Sequence, residues 1–303
     1  MSLATILSHF NIKELNDMQT NALKAILKYN DVVLISPTGS GKTLAFLLPI
    51  VKVLEENREG VQALIVVPTR ELAIQIEKVF KQMSTGFKIN CCYGGHAVGI
   101  EENNLSHPPA ILVGTPGRIS HHLRRKNLDL NLTHTLILDE FDKSLEMGFS
   151  EDMTYIIKQC KHLQKRVLTS ATPLNEIPDF VGLKDAKVLN YTTNHHQLKS
   201  SLEIKSVRVK GDDKLEALML LLGGINSKST IVFCNHRDAV ARIAEQLSIH
   251  KVQHGYYHGG MDQIDREKTL IKLRNGSINL LISTDLAARG IDIPEIEAVI
   301  HYQ

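Results

Sequence analysis

Residues 31–43 read DVVLISPTGSGKT. The apolar, β-branched run that opens this stretch predicts a strand. The TLAFLLPIVKVLEE that follows Lys42 has the length and apolar spacing of a helix. Strand, glycine loop and helix in that order make a phosphate-binding turn, because Gly39 and Gly41 let backbone N–H groups approach phosphate oxygens closely. Ser36, Pro37, Thr38, Gly39, Ser40, Gly41, Lys42 and Thr43 form the expected nucleotide-binding segment. The Lys42 amine would reach the β- and γ-phosphates and the Thr43 hydroxyl would bind Mg²⁺. The plainer alternative is a glycine-rich turn with a solvated lysine, and the flanking strand and helix weigh against it. The general form of the loop has glycine where Ser36 stands, so the match is to a variant of it.

The pattern repeats outward from this loop. ALIVVP (63–68), AILVGTP (110–116), THTLILDE (133–140) and RVLTSAT (166–172) are further strand-like runs, and TRELAIQIEKVFKQM (69–83) has helical periodicity. The strands carry few polar residues, which predicts burial on both faces and hence a parallel α/β sheet. NYTTNHHQLKSS (190–201) is polar and follows neither period. The alternation then restarts with TIVFCNH (230–236) and continues to AVIHY (298–302). Two tandem α/β domains are expected, 1–190 and 207–303, with a linker at 191–206 and a second domain that is incomplete at its C-terminal end.

A length of 303 residues suffices for two such domains. No apolar run reaches the roughly eighteen residues of a membrane span. The start, MSLATILSHF, lacks the features of a signal peptide, so a cytoplasmic protein is expected. The net charge of +2 excludes a strongly basic arm but not a nucleic-acid binder, since local arginines and backbone N–H groups can hold a phosphate backbone. Cys91, Cys92, Cys160 and Cys234 show no CxxC spacing and read as small buried hydrophobes. His121 and His122, beside Arg124 and Arg125, read as an exposed basic helix face; His195 and His196 read as solvated linker.

Asp139 and Glu140 end the apolar run TLIL. In an open parallel sheet that is the carboxyl edge, the same edge as the phosphate loop. Asp139 suits a direct or water-mediated Mg²⁺ contact, and Glu140 suits polarising the attacking water. Alone, an Asp-Glu pair is more often a solvated turn; joined to Lys42 on one sheet it becomes a candidate catalytic set.

SPTGSGKT (36–43), PTRELA (68–73), Gly94-Gly95, TPGR (115–118), DEFD (139–142), SAT (170–172), QIDR (263–266) and TDLAARGID (284–292) stand in the order of the motifs of the DEAD-box RNA helicases. The chain resembles that family over nearly its whole length. The resemblance implies two RecA-like domains that close around ATP and single-stranded RNA, with RNA-stimulated ATP hydrolysis coupled to local duplex unwinding or RNP remodelling. It implies that Gln19 reads the adenine edge, that Asp285 and Arg289 face the nucleotide, and that Ser170 and Thr172 couple nucleotide state to RNA grip through Asp142. It also implies an RNA path along Thr69, Arg70, Gly94, Gly95, Thr115, Gly117 and Arg118 on the first domain and Gln263, Arg266 and Thr284 on the second. Threonines, arginines and glycine-exposed N–H groups hold phosphates without reading bases, and a chain with no Trp has few stacking platforms, so sequence-tolerant binding is expected.

The sequence departs from the family at four places. Phe141 stands where DEAD has alanine. Asn11-Ile12 and Leu15-Asn16 replace the expected Gly-Phe and Pro-Thr ahead of Gln19. Ser36 replaces the usual alanine. The family continues past Ile300-His301-Tyr302 into an HRxGRxGR segment carrying arginine fingers, worth about 10³ to 10⁵ in rate. Its absence here favours a fragment of a longer protein. The alternative is a nucleotide-binding RNA clamp with little turnover.

Overall fold

A computed structural model describes residues 2–95, 98–174, 176–192, 203–209, 214–225, 229–284 and 296–302. The chain divides into two compact units, Met1–Ser201 and Leu202–Gln303.

In the first unit, α1 (Leu3–Ser8) and α2 (Asp17–Lys28) precede β1 (Asp31–Ile35) and α3 (Lys42–Val53). Then come β2 (Ala63–Val66), α4 (Arg70–Gln82), β3 (Ile89–Cys92), α5 (Val98–Leu105), β4 (Ile111–Gly114) and α6 (Pro116–Arg124). The unit is completed by β5 (Thr135–Leu138), α7 (Phe141–Glu146), α8 (Ser150–Gln159), β6 (Lys165–Ser170) and β7 (Lys187–Asn190). The strands lie in the order β3-β4-β2-β5-β6-β1-β7, all pairings parallel.

The uninterrupted apolar runs are explained by a sheet covered on both faces. Along β1, Val32 and Leu34 join one core with residues of α2, α3 and α4; Val33 and Ile35 join another with residues of α5, α6, α7 and α8. A period of two therefore sends alternate side chains into different cores, and both must be apolar. Helix α4 shows how a flanking element is specified. Thr69 caps it by accepting the Leu72 N–H at 3.3 Å, and Leu72, Ala73, Ile76 and Phe80 form its buried stripe.

Strands β3 and β7 carry no strong signal in sequence. β3 contains Asn90, and β7 is an exposed edge strand with Val188 open to solvent. Tyr191, the first residue of the expected linker, still donates its N–H to Ile35 at 2.8 Å, and its hydroxyl accepts from Asn21 at 2.8 Å.

The second unit contains α9 (Leu215–Ile225), β8 (Thr230–Cys234), α10 (Arg237–Ile249), β9 (Gly255–Tyr257), α11 (Gln263–Arg274), β10 (Leu280–Thr284) and β11 (Ala298–Tyr302). Its sheet runs β11-β8-β10-β9, again parallel. Among the described residues no helix is long and apolar enough to cross a membrane.

Candidate functional site

All strands of the first unit run one way, so their carboxyl ends share one edge, where ligands of open α/β sheets bind. The strand order sorts the candidate residues along it. The loops after β5, β6 and β1 are neighbours and carry Asp139-Glu140, Ser170–Thr172 and the phosphate loop. The loops after β3, β4 and β2 are neighbours on the other half and carry Gly94-Gly95, Thr115–Arg118 and Thr69-Arg70.

In the half after β5, β6 and β1, Lys42 is buried and its ammonium donates to the carbonyls of Ser36 at 2.6 Å and Pro37 at 2.8 Å. Burial lowers its pKa, opposed by the negative charges of Asp139, Glu140 and Asp142. Lysine and acids thus share one electrostatic neighbourhood. The Asp139 backbone N–H extends the ladder to Val66, and its carboxylate accepts from the Thr169 hydroxyl. That hydroxyl also accepts the Glu140 N–H at 3.1 Å. Glu140 adopts a left-handed backbone (φ 48°), an uncommon state for a residue with a Cβ, at the junction of β5 and α7. Burial first, and the adjacent Asp139 second, push its carboxyl up to about 7. Asp139 is also raised by burial, against the Thr169 bond and Lys42.

Three loops are stitched together here. The Ser36 N–H donates to the Ser170 carbonyl at 3.0 Å, and the Thr172 hydroxyl donates to Asp142 at 2.9 Å. Thr38 and Gly39 at the loop's crest are exposed, and Thr43 is half-buried in the first turn of α3. The donor set fits Mg²⁺ held with a polyphosphate. Asp139 is buried with its charged form disfavoured, and the Asp142 Oδ1 is buried with no hydrogen-bond partner. A hard divalent cation takes oxygen ligands of this kind.

Gln19 is buried and held by both ends of its amide. Its Oε1 accepts the Asn16 N–H at 3.1 Å, and its Nε2 donates to the Gly41 carbonyl at 3.3 Å. Asn16 reciprocates by accepting the Gln19 N–H at 2.8 Å, a capping box for α2, and donates to the Ser40 carbonyl at 3.2 Å. This segment therefore braces the phosphate loop. A primary amide has two N–H donors and two lone pairs, which leaves one of each for a base edge.

In the other half, Arg70 donates to the Gly94 carbonyl at 2.9 Å. Thr115 precedes α6, and Gly95 and Gly117 are exposed. Arg118 is not a solvated side chain: its Nε donates to the buried Glu101. His122 is fully buried and bonds the same carboxylate at 2.6 Å, which corrects the expectation of an exposed basic face. The reason is helical phase: His122 follows Ile119 on the face of α6 that packs inward.

On the second unit, Arg266 is buried, donates twice to the His258 carbonyl at 3.0 and 3.2 Å, and lies over the Tyr257 ring. Gln263 is buried and donates to Glu267 at 2.9 Å. Arg266 thus ties the turn after β9 to α11, whereas the Gln263 bond lies within α11. Thr284 ends β10. Asp285, Arg289, His195 and His196 lie outside the described residues. Cys92, Cys160 and Cys234 are buried and Cys91 half-buried, all as free thiols.

The residues that sequence reasoning passed over are Thr169, Asn16 and Glu101. Asn16 was detectable, since Asn-x-x-Gln ahead of a helix is a capping-box pattern. Thr169 and Glu101 had no local signal.

The DEAD/DEAH box helicase family model matches residues 16–180, more than half of the chain. The chain belongs to the DEAD/DEAH box helicase family. The helicase conserved C-terminal domain matches residues 213–303. The chain is similar to ATP-dependent RNA helicase DeaD of Buchnera aphidicola (35% identity, 98% of this chain, 51% of the relative). It is also similar to ATP-dependent RNA helicase DbpA of Escherichia coli (32%, 99% of this chain, 66% of the relative). Among solved structures, a DEAD box protein from Methanococcus jannaschii is 32% identical over 98% of this chain and 81% of that one, with a TM-score of 0.58. A substituted form of S. cerevisiae Dbp5 bound to RNA and ADP BeF3 is 25% identical over 100% and 79%, with a TM-score of 0.84. The chain spans about half the length of the DeaD relatives it matches.

Proposed function

We propose that this DEAD/DEAH box chain belongs to an ATP-dependent RNA helicase, whose first unit binds ATP and one RNA strand on two halves of the same sheet edge. The carrying observation is the strand order. It groups Lys42, Asp139, Glu140 and the Thr172–Asp142 bond on one half, and Arg70, Gly94 and Arg118 on the other. Relatives named as ATP-dependent RNA helicases, and a similar structure bound to RNA and ADP BeF3, support this assignment.

In this reading the ammonium of Lys42 exchanges its two carbonyl partners for phosphate oxygens. Thr43 and Asp139 would hold Mg²⁺, which when bound neutralises charge on the phosphates. Glu140 orients the attacking water, and Thr169 fixes the Asp139–Glu140 turn from beneath. Arg70 and Arg118 hold phosphates of an RNA strand without reading bases. In the full-length protein, Lys42→Ala is expected to abolish nucleotide binding, and Glu140→Gln to abolish hydrolysis while retaining binding. RNA, and not DNA of the same sequence, is expected to stimulate ATPase. Undiminished turnover in both variants would overturn the site; equal stimulation by DNA would overturn the substrate.

A further inference from the structure

The RNA half of the edge has a buried centre. Glu101, on α5, is about 1% exposed. Its Oε1 accepts the Tyr93 N–H at 2.9 Å; its Oε2 accepts from Arg118 Nε and meets His122 Nε2 at 2.6 Å. Tyr93 directly precedes Gly94-Gly95, and the Gly94 carbonyl accepts from Arg70. One carboxylate thus anchors the Gly94-Gly95 loop and Arg118 together, and the loop in turn receives Arg70. Burial raises the Glu101 carboxyl, but bonds from His122, Arg118 and Tyr93 outweigh it and hold the group below its ordinary value. The charge that binds the arginine is therefore retained.

Cys92, Glu101 and His122 place potential ligand atoms within 4.8 Å of one another. A metal site does not follow, because the Arg118 guanidinium already takes the same carboxylate oxygen and would repel a dication.

We propose that Glu101 is a positioning residue for RNA grip, fixing Arg118 and the Gly94-Gly95 loop as one preorganised phosphate-binding surface. This rests on the RNA-binding reading of that edge. Charge-assisted bonds to a buried acceptor fix geometry more firmly than bonds in water. Replacing the acid by an amide keeps the volume but offers one acceptor atom where two served three donors.

The test uses the full-length protein, a short fluorescein-labelled single-stranded RNA and a non-hydrolysable ATP analogue, with steady-state ATPase alongside. Glu101→Gln is expected to weaken RNA binding about tenfold and to raise half-saturating RNA far more than it lowers kcat at saturating RNA. Combined with Arg118→Gln, it should add less than about twofold to the effect of Arg118→Gln alone, since both changes break one linkage. Should Glu101→Gln melt below the assay temperature, Glu101→Asp supplies the same measurement: it keeps the charge but retracts the oxygens. Affinity within twofold of wild type, or effects that multiply in the double variant, overturns the role of Glu101 alone. A wild-type protein that binds no RNA overturns the function as well.

Discussion

The Thr172 hydroxyl donates to Asp142 Oδ2 at 2.9 Å, latching the turn after β6 to the first turn of α7. Ser170 reinforces the turn, donating its hydroxyl to the Thr172 carbonyl at 2.6 Å and accepting the Thr172 N–H at 3.2 Å. Thr172→Val removes the latch without changing side-chain shape. Asp142 is buried but Thr172 is exposed, so water can partly replace the hydroxyl and losing this bond is expected to cost about 0.5–1.5 kcal/mol in urea unfolding. In the full-length protein, strand separation should fall much further than ATP hydrolysis. Equal loss of both would show that the bond serves the chemistry and not its coupling.

Glu140 gives opposite pH signatures for stability and for rate. Its carboxyl is pushed from 4.5 to about 7 in the folded state by burial and by Asp139. Between those values the folded form holds the proton more tightly than the unfolded chain, so this stabilisation is full below the unfolded value and lost as pH rises through about 7. The nucleotide-free protein should lose about 1–2 kcal/mol from this group over that window, less than the full shift implies because Glu140 retains some contact with water. Glu140→Gln should flatten this part of the stability profile. Hydrolysis should instead rise with pH through the same window, because the role proposed for Glu140 in orienting the water requires the carboxylate. Urea unfolding and kcat measured across pH 5–8 check both signs.

The half of the site built at strand ends was legible from sequence; the half built by tertiary bonds was not. The phosphate loop and Asp139 directly follow apolar runs and Ser170 ends one, and a parallel sheet puts the ends of such runs on one edge. Glu101 and Arg118 meet only because α5 and α6 converge behind β3 and β4, and nothing local to either residue announces it. A lone arginine and two histidines beside more arginines look solvated in sequence; burial of His122 is a matter of helical phase that a nine-residue helix barely encodes. Gln19 was a candidate through the family resemblance alone, and its brace on Gly41 depends on how α2 lies against α3. The edge strands β3 and β7 went unseen because they bury fewer apolar residues than central strands.

Phe141, in place of the family's alanine, is a core residue. Its ring is fully buried, with its centroid 6.4 Å from that of Phe180 at a tilt of 58°. It also packs in the core shared by α5, α6 and α8. Restoring alanine should therefore harm this chain. Phe141→Ala is expected to cost about 3–5 kcal/mol, and Phe141→Leu well under half of that, because leucine refills most of the space. Chemical denaturation of the three proteins decides it; a Phe141→Ala loss below about 1 kcal/mol would mean that the ring is not packed as described.

Gly41 and Gly39 separate backbone strain from steric clash within one loop. Both have left-handed backbones, with φ of 88° and 78°. A Cβ on Gly39 would meet nothing within 4 Å, whereas on Gly41 it would lie 2.4 Å from the Gln19 amide nitrogen. Gly39→Ala therefore carries only the left-handed penalty, roughly 1–2 kcal/mol. Gly41→Ala carries that penalty and must also expel Gln19, breaking the bond to the Gly41 carbonyl and disturbing the capping box with Asn16. In nucleotide-free thermal melts Gly41→Ala should be the less stable of the two. A second change, Gln19→Ala, should narrow the gap by clearing the space, although it removes the brace. If the two alanine variants melt together in the wild-type background, Gln19 does not press on Gly41, and the brace on the phosphate loop is not there.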